Sequence, residues 1–401
     1  MRCVQPLAQH RQAAFAAVAT AVLCAAFPAL AQDRPREQIG PFVDLDWNLG
    51  LRGSYSTDSV SGVTLEGIVA PQVTFTRQGE RDQTSLDVGG AFGVEQDKTM
   101  RIEDAHINGA STYQLDSLSR LDGTVNLTLT QDKPDDASLP TGTKIPPLMF
   151  TGTAEGKVTR NLGRFDLVGS LTGERFLESQ TVLNNGTTVS NVDQNFWSGG
   201  GELRLGFELT PVTSVFVDGS AGIQKYDAPN PGLLKFFDNR SYTLRGGVSY
   251  KVPDFIEAET SVGRAWLDYT DPTLTDSAGW VFDSSVSFTP DETTTLSAAL
   301  NTSLMPSDKV DGDTDANYTL TGTARYMVNP WLTLRGSAGA NYTRTLGSGD
   351  TDWGYGLGAG FDLSTSRHVV WSADYLFAHD DSTIDGIKDS QTVTLGVLFK
   401  K

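Results

Sequence analysis

From Phe42 onward, apolar and polar residues take turns along the chain. Val43, Leu45, Trp47, Leu49, Leu51, Gly53 and Tyr55 would share one face of a strand, and Asp44, Asp46, Asn48, Arg52 and Ser54 the other, because successive side chains on a strand point to opposite sides. The split recurs at Leu65, Gly67, Val69, Val73 and Phe75, at Leu121, Gly123, Val125, Leu127 and Leu129, and at Leu203, Leu205, Phe207 and Leu209. Late copies run through Trp353, Tyr355, Leu357, Ala359 and Phe361 and through Val393, Leu395, Val397 and Phe399. About 18 such segments of roughly 10 to 16 residues fit strands that cross a bilayer at a tilt.

The connections alternate too. Short turns are expected at Gln78-Gly79-Glu80, Asp116-Ser117, Asn161-Leu162-Gly163, Pro211, Pro253-Asp254, Pro290-Asp291 and Asn329-Pro330, where proline lies outside the hydrogen-bond ladder. Longer polar connections are expected over residues 132–147, 178–195, 227–240, 306–316 and 379–389. Short turns at one end and long loops at the other are the pattern of an outer-membrane barrel. Aromatic residues give a second signal, since a barrel gathers them on its lipid face near both ends of its strands. Tyr55, Trp197, Trp266, Trp280 and Trp353 fall near one end, and Phe207, Tyr250, Tyr326, Trp371 and Phe399 near the other. The expected fold is all-β: a transmembrane antiparallel up-and-down β-barrel of about 18 strands. A soluble sandwich or propeller would explain the alternation, but neither the two aromatic levels nor the alternating loop lengths.

The N-terminus reads as a secretory signal. Arg2 and Arg11 make a basic start, residues 13–27 an apolar stretch, and Ala29-Leu30-Ala31 a cleavage site before Gln32, the three regions such a leader needs. Residues 1–31 are thus expected to be removed, 32–41 to form a short periplasmic segment, and 42–401 to form the barrel. Both cysteines, Cys3 and Cys24, lie in that leader, so the mature chain has no disulfide or thiolate chemistry. Its loss moves the formal charge from -18 to -20, since it carries two arginines and no acid. Nucleic acid is an unfavourable partner for so acidic a surface. After Ala31 the sequence has no apolar run of transmembrane-helix length.

The signal, the opening strand over residues 41–58, the repeated two-faced hairpins and the closing Thr394-Leu395-Gly396-Val397-Leu398-Phe399 resemble the β-barrel porin families of Gram-negative outer membranes. The resemblance spans nearly the whole mature chain. It implies an outer-membrane location and a channel. The chain departs from the pattern at its end, where Lys400 and Lys401 follow the terminal aromatic Phe399.

If the apolar face meets lipid, the other face lines a lumen. Expected lumen residues are the acids Asp44, Asp46, Asp87, Glu155, Glu202, Glu208, Asp218, Glu257, Glu259, Asp283 and Asp374, and the bases Arg52, Lys157, Arg204, Arg245, Arg325 and Arg335. The excess of acids would bias a pore toward cations; alternatively, acids and bases pair across strands and only hold the wall. The longest loop, residues 178–195, is the expected plug or constriction. His106, expected inward beside Asp104, and the sequence His379-Asp380-Asp381-Ser382, expected in an external loop, are the best hydrolytic candidates. Neither supplies an orienting partner by sequence, so no catalysis is expected. Asp308, Asp311, Asp313 and Asp315 space like a calcium loop but lack the glycine and glutamate that an EF-hand requires. No metal or cofactor is expected. The expected function is passive diffusion of small hydrophilic solutes, with an exit pore for a secreted polysaccharide, or an occluded barrel acting as a surface receptor, as alternatives. Expected partners are outer-membrane lipid and lipopolysaccharide, the barrel-assembly machinery, and the transported solutes.

Overall fold

A computed structural model describes residues 42–59, 62–96, 100–133, 139–140, 142–307, 313–383 and 386–401. The expected signal peptide, the 32–41 segment and Asp308 to Gly312 lie outside the described residues. In chain order the strands are β1 (Phe42–Asp58), β2 (Gly62–Gln78), β3 (Asp82–Glu95), β4 (Met100–Gln114), β5 (Ser119–Gln131), β6 (Thr143–Ile145), β7 (Leu148–Leu162), β8 (Phe165–Glu178), β9 (Thr181–Leu183), β10 (Thr188–Val189) and β11 (Phe196–Thr210). They continue with β12 (Thr213–Tyr226), β13 (Asn239–Val252), β14 (Ile256–Tyr269), β15 (Ser277–Asp291), β16 (Thr294–Pro306), β17 (Thr314–Asn329), β18 (Leu332–Thr345), β19 (Thr351–Ser364), β20 (Val369–Ser382) and β21 (Gly386–Lys400).

Among the described residues, 18 of these strands form one antiparallel sheet. It closes because β1 pairs with β2 on one side and with β21 on the other, in a register running from Asn48↔Lys400 to Asp58↔Ser390. Closure leaves no free edge, the condition for a sheet to sit in hydrocarbon, where unpaired backbone groups find no water. The remaining strands β6, β9 and β10 pair with one another, joining the connection between β5 and β7 to that between β8 and β11.

The polar face is the concave one. Arg204 on β11 holds Glu259 on β14 through two 2.7 Å hydrogen bonds, although the strands are three steps apart in the sheet. That is about 14 Å along a flat sheet, a gap that two side chains close far more readily on the inside of a curve. The opposite face carries the large apolar residues in the open: Leu171 is 72% exposed, Leu395 61% and Trp280 59%. A soluble protein does not present so continuous an apolar surface to water; acyl chains are its natural solvent.

Local chemistry sets the turns and one irregularity. Asn329 Oδ1 accepts the backbone N–H of Trp331 and Leu332, and Asp291 Oδ1 those of Thr293 and Thr294, closing two short turns by the Asx device. Gly163 takes a φ of 72° in the turn between β7 and β8, a backbone conformation that costs glycine little. In β4 the register jumps from Ala91↔Asp104 to Phe92↔Ile102. The extra residue of this bulge is Glu103, and it turns a strand of strict alternation into one that presents Arg101, Glu103 and Asp104 together.

Two expectations about the connections change. The turn after β15 falls at residues 292–293 rather than Pro290-Asp291, which end the strand. The connection expected over 379–389 is short, since β20 runs to Ser382 and β21 begins at Gly386. His379 and Asp381 therefore sit within a strand, facing outward, because continued pairing satisfies the backbone of this polar stretch. One seam is partial: β15 and β16 pair only from Ser284↔Leu300 to Asp291↔Thr294, with a register shift between Phe288 and Asp291. Above that, Thr302 takes over: its Oγ1 donates to Phe282 O at 2.8 Å, and its N–H donates to Asp283 Oδ1 at 3.1 Å.

Candidate functional site: the inner wall

Every lumen residue expected from alternation falls on the concave register. Most of them occur in clusters. The largest cluster spans β11 to β15. Arg245 sits 2.8 Å from Asp218, 2.5 Å from Asp283 and 3.8 Å from Glu202, and Arg204 beside it holds Glu259. Two guanidinium groups thus face four carboxylates. A second cluster joins Arg335 to Asp362 and Asp374, each at 2.9 Å, with Arg325 opposite Arg335 in register. Asp87 accepts from Gln72 and Thr74 and lies 3.0 Å from His106, which also contacts Asp104. Arg52 lies 3.8 Å from Glu103, Lys251 3.0 Å from Glu257, and Lys401 Nζ 3.9 Å from Asp44. Asp46 opposes Thr74, Glu155 opposes Thr124, Lys157 opposes Asp122, and Glu208 opposes Ser214.

Glycine makes these spans feasible. Arg245 of β13 reaches Asp283 of β15 by lying across Gly263 of β14, where a Cβ would collide with Arg245 Cγ and Leu244 O. Beside it, Gly247 leaves room for the Phe216 ring, which a Cβ there would strike, and the Arg204 guanidinium lies 3.6 Å over that ring on its way to Glu259. On β19 the inner face is Gly354, Gly356, Gly358 and Gly360, and Asp374, the acid held by Arg335, leans over Gly360.

The structure adds Arg101, Glu103 and Lys133, which alternation alone misses, around Glu66, which alternation places inward. Arg101, brought inward beside the bulge, lies 2.7 Å from the 5% exposed Glu66 and 3.1 Å from Glu103, and Lys133 stands 3.6 Å from Glu66. Gly93 leaves room for the Glu66 carboxylate. Aromatic residues also line the inside, at the rim that carries the long connections. Phe176, Phe196, Tyr226, Phe237 and Tyr269 form one row, with successive ring centroids 5.5, 5.7, 6.3 and 6.4 Å apart. Their parity with polar neighbours such as Gln224 and Ser198 is the signal that could have found them.

All ten girdle aromatics, from Tyr55 to Phe399, take the outward register. Trp197 is 61% exposed, and Phe207 packs on Phe165 with centroids 4.9 Å apart. At the long-connection rim of this face, Arg175 lies 4.8 Å over Trp197 and donates to Asp227 Oδ1 at 2.9 Å. That guanidinium holds the Asp227 carboxyl below the usual carboxylate range. In the turn between β4 and β5, the Leu118 N–H does the same to Asp116.

A closed antiparallel barrel with a greasy outside and a charged inside defines a porin-like protein of the outer membrane. The family described as Putative beta-barrel porin 2 matches residues 54–401, and the chain belongs to it. No curated protein matches the chain. Among solved structures, Pseudomonas aeruginosa OccK5 (OpdH) is similar at 12% identity, covering 89% of this chain and 98% of its own, with a TM-score of 0.45. A point mutant of the ferric enterobactin receptor PfeA of the same organism is similar at 9% identity, covering 89% and 80%, with a TM-score of 0.46. A loop L8 deletion mutant of Vibrio cholerae OmpT is similar at 11% identity, covering 90% and 100%, with a TM-score of 0.37.

Proposed function

We propose that the barrel passes small hydrophilic solutes by passive diffusion and favours cations. The observation that carries this reading is the composition of the β11–β15 cluster, where four carboxylates share two guanidinium groups. Pairing therefore does not exhaust the negative charge, and low-dielectric walls strengthen what remains. The acids serve both roles weighed from the sequence: they tie neighbouring strands together and leave a net field. Insertion by the barrel-assembly machinery, after removal of the N-terminal signal, is part of the same proposal, as is contact of the outer face with lipopolysaccharide. Chemistry on the solute is not part of it.

Planar-bilayer recording of refolded protein tests the reading. Stepwise, cation-selective conductance is the expected result. Neutralising Glu202, Glu208, Glu257 and Glu259 together to glutamine should move the reversal potential toward zero selectivity, and an unmoved potential would refute the assignment. An electrically silent barrel would favour the occluded surface receptor. An exit pore for polysaccharide is the second transport reading, and the inner aromatic row is the observation in its favour.

A further inference from the structure

We propose that the inner aromatic row is a carbohydrate-binding subsite at the long-connection mouth, selective for neutral sugar chains. This deepens the channel reading and rests on it for access from outside. The row is built by register: Phe176 of β8 opposes Phe196 of β11, which opposes Tyr226 of β12. Phe237, just before β13, and Tyr269 of β14 extend it. The first four rings are half-buried. Tyr269 is 7% exposed and anchors the far end, its hydroxyl donating to Asp313 O at 2.9 Å.

A second row runs beside the first, one inward position away. Glu174, Ser198, Gln224 and Asn239 oppose one another across β8, β11, β12 and β13, and Asn239 in turn opposes Tyr269. Ser198 Oγ donates to Glu174 Oε2 at 3.2 Å, and Asn239 Nδ2 to Gln224 Oε1 at 3.3 Å. Gln224 Nε2 also donates to the Tyr226 hydroxyl at 3.2 Å. A sugar ring needs this pair of surfaces. One of its faces is a plate of C–H groups that packs on an aromatic ring, and its rim is a set of hydroxyls that require both donors and acceptors. An amide offers both at once. Because rows perpendicular to tilted strands climb the wall obliquely, the rings form a ramp that a linear chain could follow.

Charge narrows the class. The polar row carries Glu174, and Arg175 of the same strand faces outward to Asp227. The arginines of this wall, Arg204 and Arg245, stand deeper, engaged with carboxylates. An anionic sugar would be repelled by the Glu174 carboxylate, whereas a neutral sugar meets no such repulsion.

The test uses the full purified chain, in planar bilayers and by calorimetry in detergent. The probes are maltohexaose, cellohexaose and chitohexaose, with an oligogalacturonate of equal length as the anionic comparison. The variant Phe176→Leu/Phe196→Leu/Tyr226→Leu keeps apolar bulk and removes the flat faces, and heat-modifiable migration on gels like that of the wild type certifies that it has folded. At least one neutral hexasaccharide should bind the wild type and interrupt its current, and the leucine variant should bind it about tenfold more weakly or worse, a change of roughly 1.4 kcal/mol. Equal affinity in the leucine variant would overturn the proposal, as would a conducting wild type that binds none of the neutral chains or prefers the oligogalacturonate. A barrel that binds sugar yet conducts nothing would instead overturn the pore and leave the subsite standing.

Discussion

Arg245 reaches Asp283 two strands away because Gly263, on the strand between them, has no side chain to block the path. A methyl group there would press on Leu244 O, part of the backbone, as well as on the arginine stem. Gly263→Ala should therefore cost about 1–3 kcal/mol, as overpacking does elsewhere. Gly53→Ala, where nothing lies within 4 Å of the new carbon, should cost close to nothing. Urea-induced unfolding in lipid vesicles, monitored by heat-modifiable migration on gels, measures both.

Removing the arginine itself should be worse. Arg245→Met would leave Asp218, only 2% exposed, with Asp283 and Glu202 but without their shared cation. Breaking a buried pair from one side costs roughly 3–5 kcal/mol, and the half-open setting of a lumen should bring this case to the lower end. If the variant still inserts, its reversal potential should shift toward stronger cation selectivity, since the cluster then holds one guanidinium against four carboxylates. A shift toward anions would contradict the electrostatic reading.

Selectivity should also fall with salt. Screening shortens from about 30 Å at 0.01 M to about 3 Å at 1 M. A bias set by a net field should thus be clear in dilute electrolyte and nearly absent in concentrated electrolyte. Reversal potentials under a fixed salt ratio at several absolute concentrations would show it; a constant permeability ratio would point to a steric filter instead.

The pair of Arg175 and Asp227 predicts a pH effect. Because the guanidinium holds the Asp227 carboxyl low, the folded protein keeps that carboxylate ionised at a pH where the unfolded chain has begun to protonate it. The contribution is complete above the unfolded pKa of about 3.9 and fades as pH falls through the lowered folded value. The pair is largely exposed on its Asp227 side, so screening limits it to about 1 kcal/mol or less. Thermal midpoints of wild type and Asp227→Asn should differ by a constant amount from pH 7 to about 5. The difference should vanish in stronger acid.

Parity made the wall legible from sequence. One look at which residues share a side with Leu121 or Trp353 gives strand face, strand number and the ten girdle positions, because a period of two leaves no freedom once one face is apolar. What parity cannot carry is an interruption. Glu103 is one residue too many, and only the paired partner strand reveals that Arg101 then turns toward Glu66. Arg204 and Glu259 are also invisible as a pair, since 55 residues separate them and their meeting depends on curvature. The inner aromatics obey the same parity, for Phe196 and Tyr226 keep step with Ser198 and Gln224; the rule that a barrel gathers its rings on the lipid face points away from them.

The short ladder between β15 and β16 has a consequence for how the cylinder fails. Where neighbouring staves are stitched along nearly their whole length, this seam is stitched along one half and laced by Thr302 in the other. The amide proton of Phe282, held by Thr302 Oγ1 instead of a backbone carbonyl, should be among the first of the wall to exchange with heavy water, and gentle heating should unzip the protein there before any other joint gives way.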